Sequence, residues 1–352
     1  MSRAQEPHRH FFPFGNPFRN ISSRGSQLSP RLHHQLNGFE GTLSERLQKL
    51  IPKDKDDVLS LSWMKLAMES LYETHNDIKT LIAELELPVS EWDEKWIDVY
   101  LDISVKLLDI CIAFSSELTR LNQGNILLQC LLHNLESNSS DRFIRASSSL
   151  KSWRQHISSK NPRVETCRPI LESLVESLNM PEVKKSAKGK VLMRAMYGVK
   201  VETVYICSVF AAAFSGSAKN LKELTIPDTV LWAQAFNDLQ TYVNGEIRNI
   251  FSHGQFTVIK ELDAVNACVK NLNPMIQEGL GDFEVESFKS SVSDLGRLTA
   301  KLSQGLDVLS KEVDGFFKIV LTGRDALLCN LRATGSFPDT MPGRNIEGQV
   351  LR

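Results

Sequence analysis

The stretch YETHND brings Glu73, His75 and Asp77 close together, and these three side chains are the first place to look for a metal or an acid–base centre. Carboxylate-bridged di-metal bundles use Glu-x-x-His, whose ligands lie three residues apart on one helix face. Glu73 and His75 are two apart, so a helix turns them in different directions. His75 also falls on a run of apolar positions, where a hydrogen-bonded core histidine is expected. His133, His156 and His253 have no acid or cysteine at metal-ligand spacing. Asp93 and Glu94 sit beside Trp92 and Trp96, but acids in a first helical turn meet unpaired amides and need no catalytic explanation. The sequence has no P-loop and no strand-linked GxGxxG. It also lacks a GxSxG elbow. No catalytic residue, cofactor or metal is therefore expected, and the expected reading is a protein that is not an enzyme.

The six cysteines (Cys111, Cys130, Cys167, Cys207, Cys268 and Cys329) are scattered, with no CxxC pair. Each lies in or near an apolar helical pattern, where cysteine behaves as a small hydrophobe, and this favours a reducing compartment. Net charge is −1, with 42% hydrophobic and 24% charged residues, so no global field favours nucleic acid or an anionic membrane. One local patch stands out. EVKKSAKGKVLMRAMYGVK carries Lys184, Lys185, Lys188, Lys190, Arg194 and Lys200 against a single acid, Glu182. The first five are candidates for contact with anionic lipid or a partner, since clustered cations near a membrane contribute about 1 kcal/mol each. Ser186 inside the cluster offers a phosphorylation site that would weaken such a contact. The cluster holds no interleaved aromatics of the kind that stack bases, so nucleic-acid binding is not expected.

These groups must be carried by helices. Residues 1–38 are read as a disordered or targeting leader: five arginines, several serines, one acid and prolines at 7, 13, 17 and 30. Phe11, Phe12, Phe14 and Phe18, beside Arg9 and Arg19, could contact a membrane interface or a partner. From Phe39 the pattern is helical. Val58, Leu61, Met64, Met68, Leu71, Ile78, Ile82 and Leu85 form one stripe, with Asp56 and Asp57 in the expected first turn and Pro88 at the end. Ser90 then resembles an N-cap, and Trp92, Trp96, Val99, Ile103, Leu107, Ile110 and Phe114 form a second stripe. Further helices are expected over about 124–136, 142–159, 164–179, 183–218, 229–251, 256–272 and 282–333, the last interrupted by Gly296, Gly305, Gly315 and Gly323. No stretch alternates with a period of two. The expected fold is all-α: an elongated antiparallel multi-helix bundle over 39–334, with 335–352 a frayed tail.

VYICSVFAAAFSGS, residues 204–217, is the most apolar stretch. Its uncharged run spans Thr203 to Ala218, short of the roughly 20 residues that cross a hydrocarbon core. On that length it is read as the central helix of a bundle, with a membrane span or a switchable or interfacial segment as the alternatives, and with peripheral membrane contact otherwise left to the basic cluster and the leader.

Several long runs carry a resemblance. FFPFGNPFR, LSWMKLAMESLYETHNDIKTLIAELELPVSEWDEKWIDVYLDISVKLLD, ELTRLNQGN and SAKGKVLMRAMYGVKVETVYICSVFAAAFSGS, together with VDGFFKIVLTGRDALL, are similar to the plant BYPASS family across essentially the whole chain. The resemblance implies a regulator of root and shoot development that restrains a mobile, root-derived, carotenoid-dependent signal arresting shoot growth. It implies no catalytic residues. It implies either plastid targeting by the leader or a cytoplasmic, peripherally membrane-associated protein. A link of a broader related group to the exocyst implies a helical protein partner. The alternative is a binder or enzyme acting on a small carotenoid-like precursor, held in an apolar site near Met193, Met196, Phe210 and Phe214.

Overall fold

The computed structural model describes residues 28–86, 94–137, 139–179, 186–252, 258–278 and 285–333. The phenylalanines 11, 12, 14 and 18, the lysines 184 and 185, His253, residues 87–93 with the expected Pro88 stop and Ser90 cap, and residues 334–352 lie outside them. Ten α-helices make up the described chain, and no strand occurs among the described residues. They are α1 (Pro30–Leu50), α2 (Leu61–Leu85), α3 (Glu94–Glu136), α4 (Arg142–Ser158), α5 (Pro162–Glu165), α6 (Cys167–Glu176), α7 (Ala187–Ser215), α8 (Ala233–Ser252), α9 (Lys260–Glu278) and α10 (Val285–Ala333). The fold is the expected all-α bundle.

Its helix boundaries differ from the expectation in instructive places. The first helix begins at Pro30, inside the segment read as leader. Proline breaks a helix interior but suits its first turn, where the missing amide has no partner in any case. Ser29 completes the start by accepting from Leu32 N at 3.4 Å. Asp56 and Asp57 lie in a short 3₁₀ turn rather than in α2. α2 starts after Ser60, whose hydroxyl accepts from Trp63 N at 3.1 Å, while the Glu261 carboxylate of α9 accepts from Leu61 N at 3.0 Å. The separate helix expected over 124–136 is the second half of α3, a 43-residue helix about 65 Å long at 1.5 Å per residue.

α10 is likewise unbroken over 49 residues despite its glycines. Gly305 shows why one of them is there. A Cβ at that position would stand 2.6 Å from Leu61 Cδ1 and 3.0 Å from Leu61 Cβ, so the glycine lets α2 begin directly against α10. Gly305→Ala gains about 1 kcal/mol of helix propensity but overpacks this contact by about 1–3 kcal/mol. A net loss of about 1 kcal/mol is expected, read as a lower urea midpoint at unchanged m-value.

Side-chain pairs give the directions of the helices. Arg46 reaches Glu73 and Gln35 reaches Glu84, so α1 and α2 are antiparallel. Arg120 meets His156 and Asn134 meets Ser149, so α3 and α4 form a hairpin. Arg324 near the end of α10 reaches Leu101 near the start of α3, making the two longest helices antiparallel. By contrast α2 and α10 run the same way, Leu61 facing Gly305 and His75 facing Phe316.

α7 runs through the middle. From Val191 to Phe214 every residue is buried except Arg194 and Lys200, because α1, α2, α3, α5 and α6 pack around it and Tyr205 reaches α8. Phe210 and Phe214 stack on Phe114 of α3, with ring centres 5.5 and 5.4 Å away. Tyr205 meets Phe236 edge-on at 5.2 Å on the α8 side. The uncharged run of 203–218 understates this helix. α7 is 29 residues long and is the one helix among the described residues long and apolar enough to cross a membrane, because Gly198 to Glu202 extend the apolar run on its N-terminal side despite Lys200 and Glu202. Burial, not length, places it: 89% of its most apolar stretch lies inside the bundle.

Candidate functional site

The three side chains of YETHND are separated by the helix as their spacing requires. Glu73 and Asp77 face α1 and clamp Arg46, at 3.0 Å to Nε and 2.7 Å to the guanidinium nitrogen. His75 turns the other way. Its Nε2 lies 3.1 Å from Thr203 Oγ1 of α7, and its ring stands edge-on to Phe316 of α10. Thr203 Oγ1 already donates to Val199 O at 2.6 Å, so toward the imidazole it accepts, which puts the proton on Nε2. Desolvation holds this histidine neutral, with its pKa lowered to about 4. It is a hydrogen-bonded core histidine, and no group of three metal-ligating side chains occurs among the described residues.

On the other side of α2, Glu202 is buried in α7. Ser70 donates to its Oε1 at 2.6 Å, while Oε2 has no hydrogen-bond partner among the described residues. Burial raises the carboxyl to about 7, against the smaller opposing pull of Ser70, Thr74 and Arg46. Glu202 marked the polar edge of the apolar run in the sequence; in the fold it is part of the core.

His75 lines a cavity of about 290 Å³ between α2, α3, α6, α7 and α10. Its walls are mostly aliphatic: Ile78, Ile103, Leu107, Leu174, Val204 and Val320 are among them. Lys79, Val99 and Ala326 are the exposed members of the lining and mark its mouth. Met196 lines it as expected, but Met193, Phe210 and Phe214 do not, because the phenylalanines are committed to Phe114. Tyr100 and Ser104 of α3 bring hydroxyls, and burial raises the Tyr100 pKa. Lys200 brings a largely buried ammonium, which donates to Ser177 O at 3.0 Å and whose pKa burial lowers.

The basic cluster is not one surface. Arg194 is turned inward: it pairs with Glu40, fully buried in α1, through two nitrogens and donates to Thr229 O at 2.6 Å. Lys200 faces the cavity. Lys188 and Lys190 remain half-buried on the first turns of α7, which Ser186 caps by accepting from Gly189 N. The cysteines Cys111, Cys167 and Cys207 are buried thiols, each with its pKa raised by desolvation.

These features define an all-α protein whose described residues assemble no nucleophile–base pair or metal set, and whose most apolar concave feature is a cavity with a few polar groups. Comparison with known proteins narrows this class. A family model described as Protein ROH1-like matches residues 16–163. The chain is 59% identical over 355 residues to Protein BPS1, chloroplastic, of Arabidopsis thaliana, covering 99% of this chain and all of that one. It is 38% identical to UPF0496 protein 4 of Oryza sativa, in both the indica and the japonica subspecies, over 94% of this chain and 97% of theirs. No solved structure matches. The chain belongs to the BYPASS family, the group of plant developmental regulators that its sequence resembles.

Proposed function

We propose that the protein is a non-enzymatic regulator required for normal root and shoot growth, which restrains production of a root-derived mobile signal that arrests the shoot. The observation that carries this reading is end-to-end identity: 59% over 99% of the chain, with the relative covered in full. Similarity of that extent includes helix surfaces as well as the core, and surfaces are what a partner would read.

The regulator acts by binding a helical protein, a component of an exocyst-type tethering complex being one candidate. Support comes from α3, where Val105, Ile112 and Ile126 are 42%, 43% and 58% exposed. They recur at multiples of seven and so share one face, which a partner helix could cover in the manner of a coiled coil. The word chloroplastic in the name of the Arabidopsis relative supports the plastid as the compartment, with the leader as its address.

Both parts are tested in plants lacking their own copies. The full chain with a C-terminal fluorescent tag is expected to reach plastids and restore shoot growth; residues 28–352 with the same tag should remain outside plastids. Failure of the full chain to restore growth would refute the regulator reading. A full chain that restores growth from outside the plastid would refute only the address.

A further inference from the structure

The cavity between α2, α3, α7 and α10 has an electrostatic asymmetry that packing does not account for. Its lining includes Lys200, Lys79 and His75 but no carboxylate among the described residues. Lys200 is largely buried, and its one described partner is the neutral carbonyl of Ser177. A buried ammonium is ordinarily paired with an anion, because its desolvation is otherwise uncompensated. The deeper wall, at Met196 and Val204, is apolar and buried. Thus a partly open, hydrocarbon-lined space calls for a negative charge at Lys200, and elsewhere for a largely apolar body.

We propose that this cavity is a binding site for a small apolar carboxylic acid, with its hydrocarbon body against Met196 and Val204 and its carboxylate paired with Lys200. Size sets the scale of the ligand. An apolar cavity of about 150 Å³ accepts benzene, so about 290 Å³ suits a molecule with roughly 10–15 carbon atoms. His75, held neutral with its proton on Nε2 and committed to Thr203, adds no competing charge on the inner wall. Lys79 at the exposed mouth adds a second cation on the way in.

Isothermal titration of the purified full chain with decanoate, decanol and decylamine tests the assignment without any protein partner. Decanoate should bind one per chain, decanol at least tenfold more weakly, and decylamine not at all. Lys200→Met should weaken decanoate at least tenfold, the value of a charge-assisted hydrogen bond, while leaving decanol within about twofold. Its unfolding midpoint should be unchanged or higher, since an uncompensated buried charge is removed. Val204→Phe, which fills the inner wall, should abolish binding of both; if that variant does not fold, Val99→Trp at the exposed mouth serves the same purpose. Equal binding of acid and alcohol would overturn the proposal. So would binding that survives Lys200→Met or the filled cavity, and so would no detectable heat with decanoate.

Discussion

Arg194→Met will cost about 3–5 kcal/mol of folding stability, although the residue belongs to what reads in the sequence as a solvated basic patch. The reason is its partner. Glu40 has no exposed surface, and its carboxylate is satisfied by two Arg194 nitrogens and by Leu231 N at 2.9 Å. Removing the guanidinium strands a charge in the core between α1, α7 and the turn before α8. Lys188→Met, two turns earlier on the same helix, is expected to change stability by no more than about 0.5 kcal/mol. The double variant Glu40→Met with Arg194→Met should recover most of the loss, because well-packed apolar residues can replace a buried pair at little cost. Urea midpoints of the four proteins check this. Equal, small effects for Arg194 and Lys188 would mean that the pair is a surface contact after all.

That contrast shows where the sequence was legible. Helix content could be read because the apolar positions of α2 and α3 repeat with helical spacing, and His75 could be assigned to the core because it falls on that repeat. The division of Glu73 and Asp77 from His75 followed from helix geometry alone. What could not be read was the role of charged residues whose partners are distant: Arg194 from Glu40 by 154 positions, Ser70 from Glu202 by 132. Local composition counts such groups as surface, since only the tertiary fold brings their counterparts near. The cavity was illegible for the same reason. Four helices each contribute a few ordinary aliphatic side chains and α6 contributes Leu174, while Lys200 looks like one more member of a basic run. The uncharged run understates the apolar length of α7, because the helix carries Lys200 and Glu202 within its apolar stretch.

Stability of the wild-type protein should vary little between about pH 4.5 and 6.5 on account of two opposed buried groups, and single substitutions should expose each of them. Glu202 has its folded pKa raised from 4.5 to about 7 by burial, beside Ser70, Thr74, Arg46 and Asp77. In that window the native state holds a proton there that the unfolded chain has lost, so this group makes stability fall as pH rises through about 7. His75 has its folded pKa lowered from 6.5 to about 4, so the unfolded chain holds a proton that the native state lacks. This group's stability is present above about 6.5 and is lost as pH falls toward 4. The two proton counts cancel where the intervals overlap. Glu202→Gln, which keeps an acceptor for Ser70, removes the falling arm, and stability should then rise by about 3 kcal/mol from pH 4 to 6.5, at about 1.4 kcal/mol per pH unit. His75→Phe removes the rising arm and should give a fall of similar size from pH 4.5 to 7. Urea midpoints at four pH values read the difference between each variant and the wild type, in which the contributions of the remaining carboxylates cancel. Parallel profiles for all three proteins would mean that neither group is desolvated in the native state, and that water reaches both sides of α2 where it packs on α7.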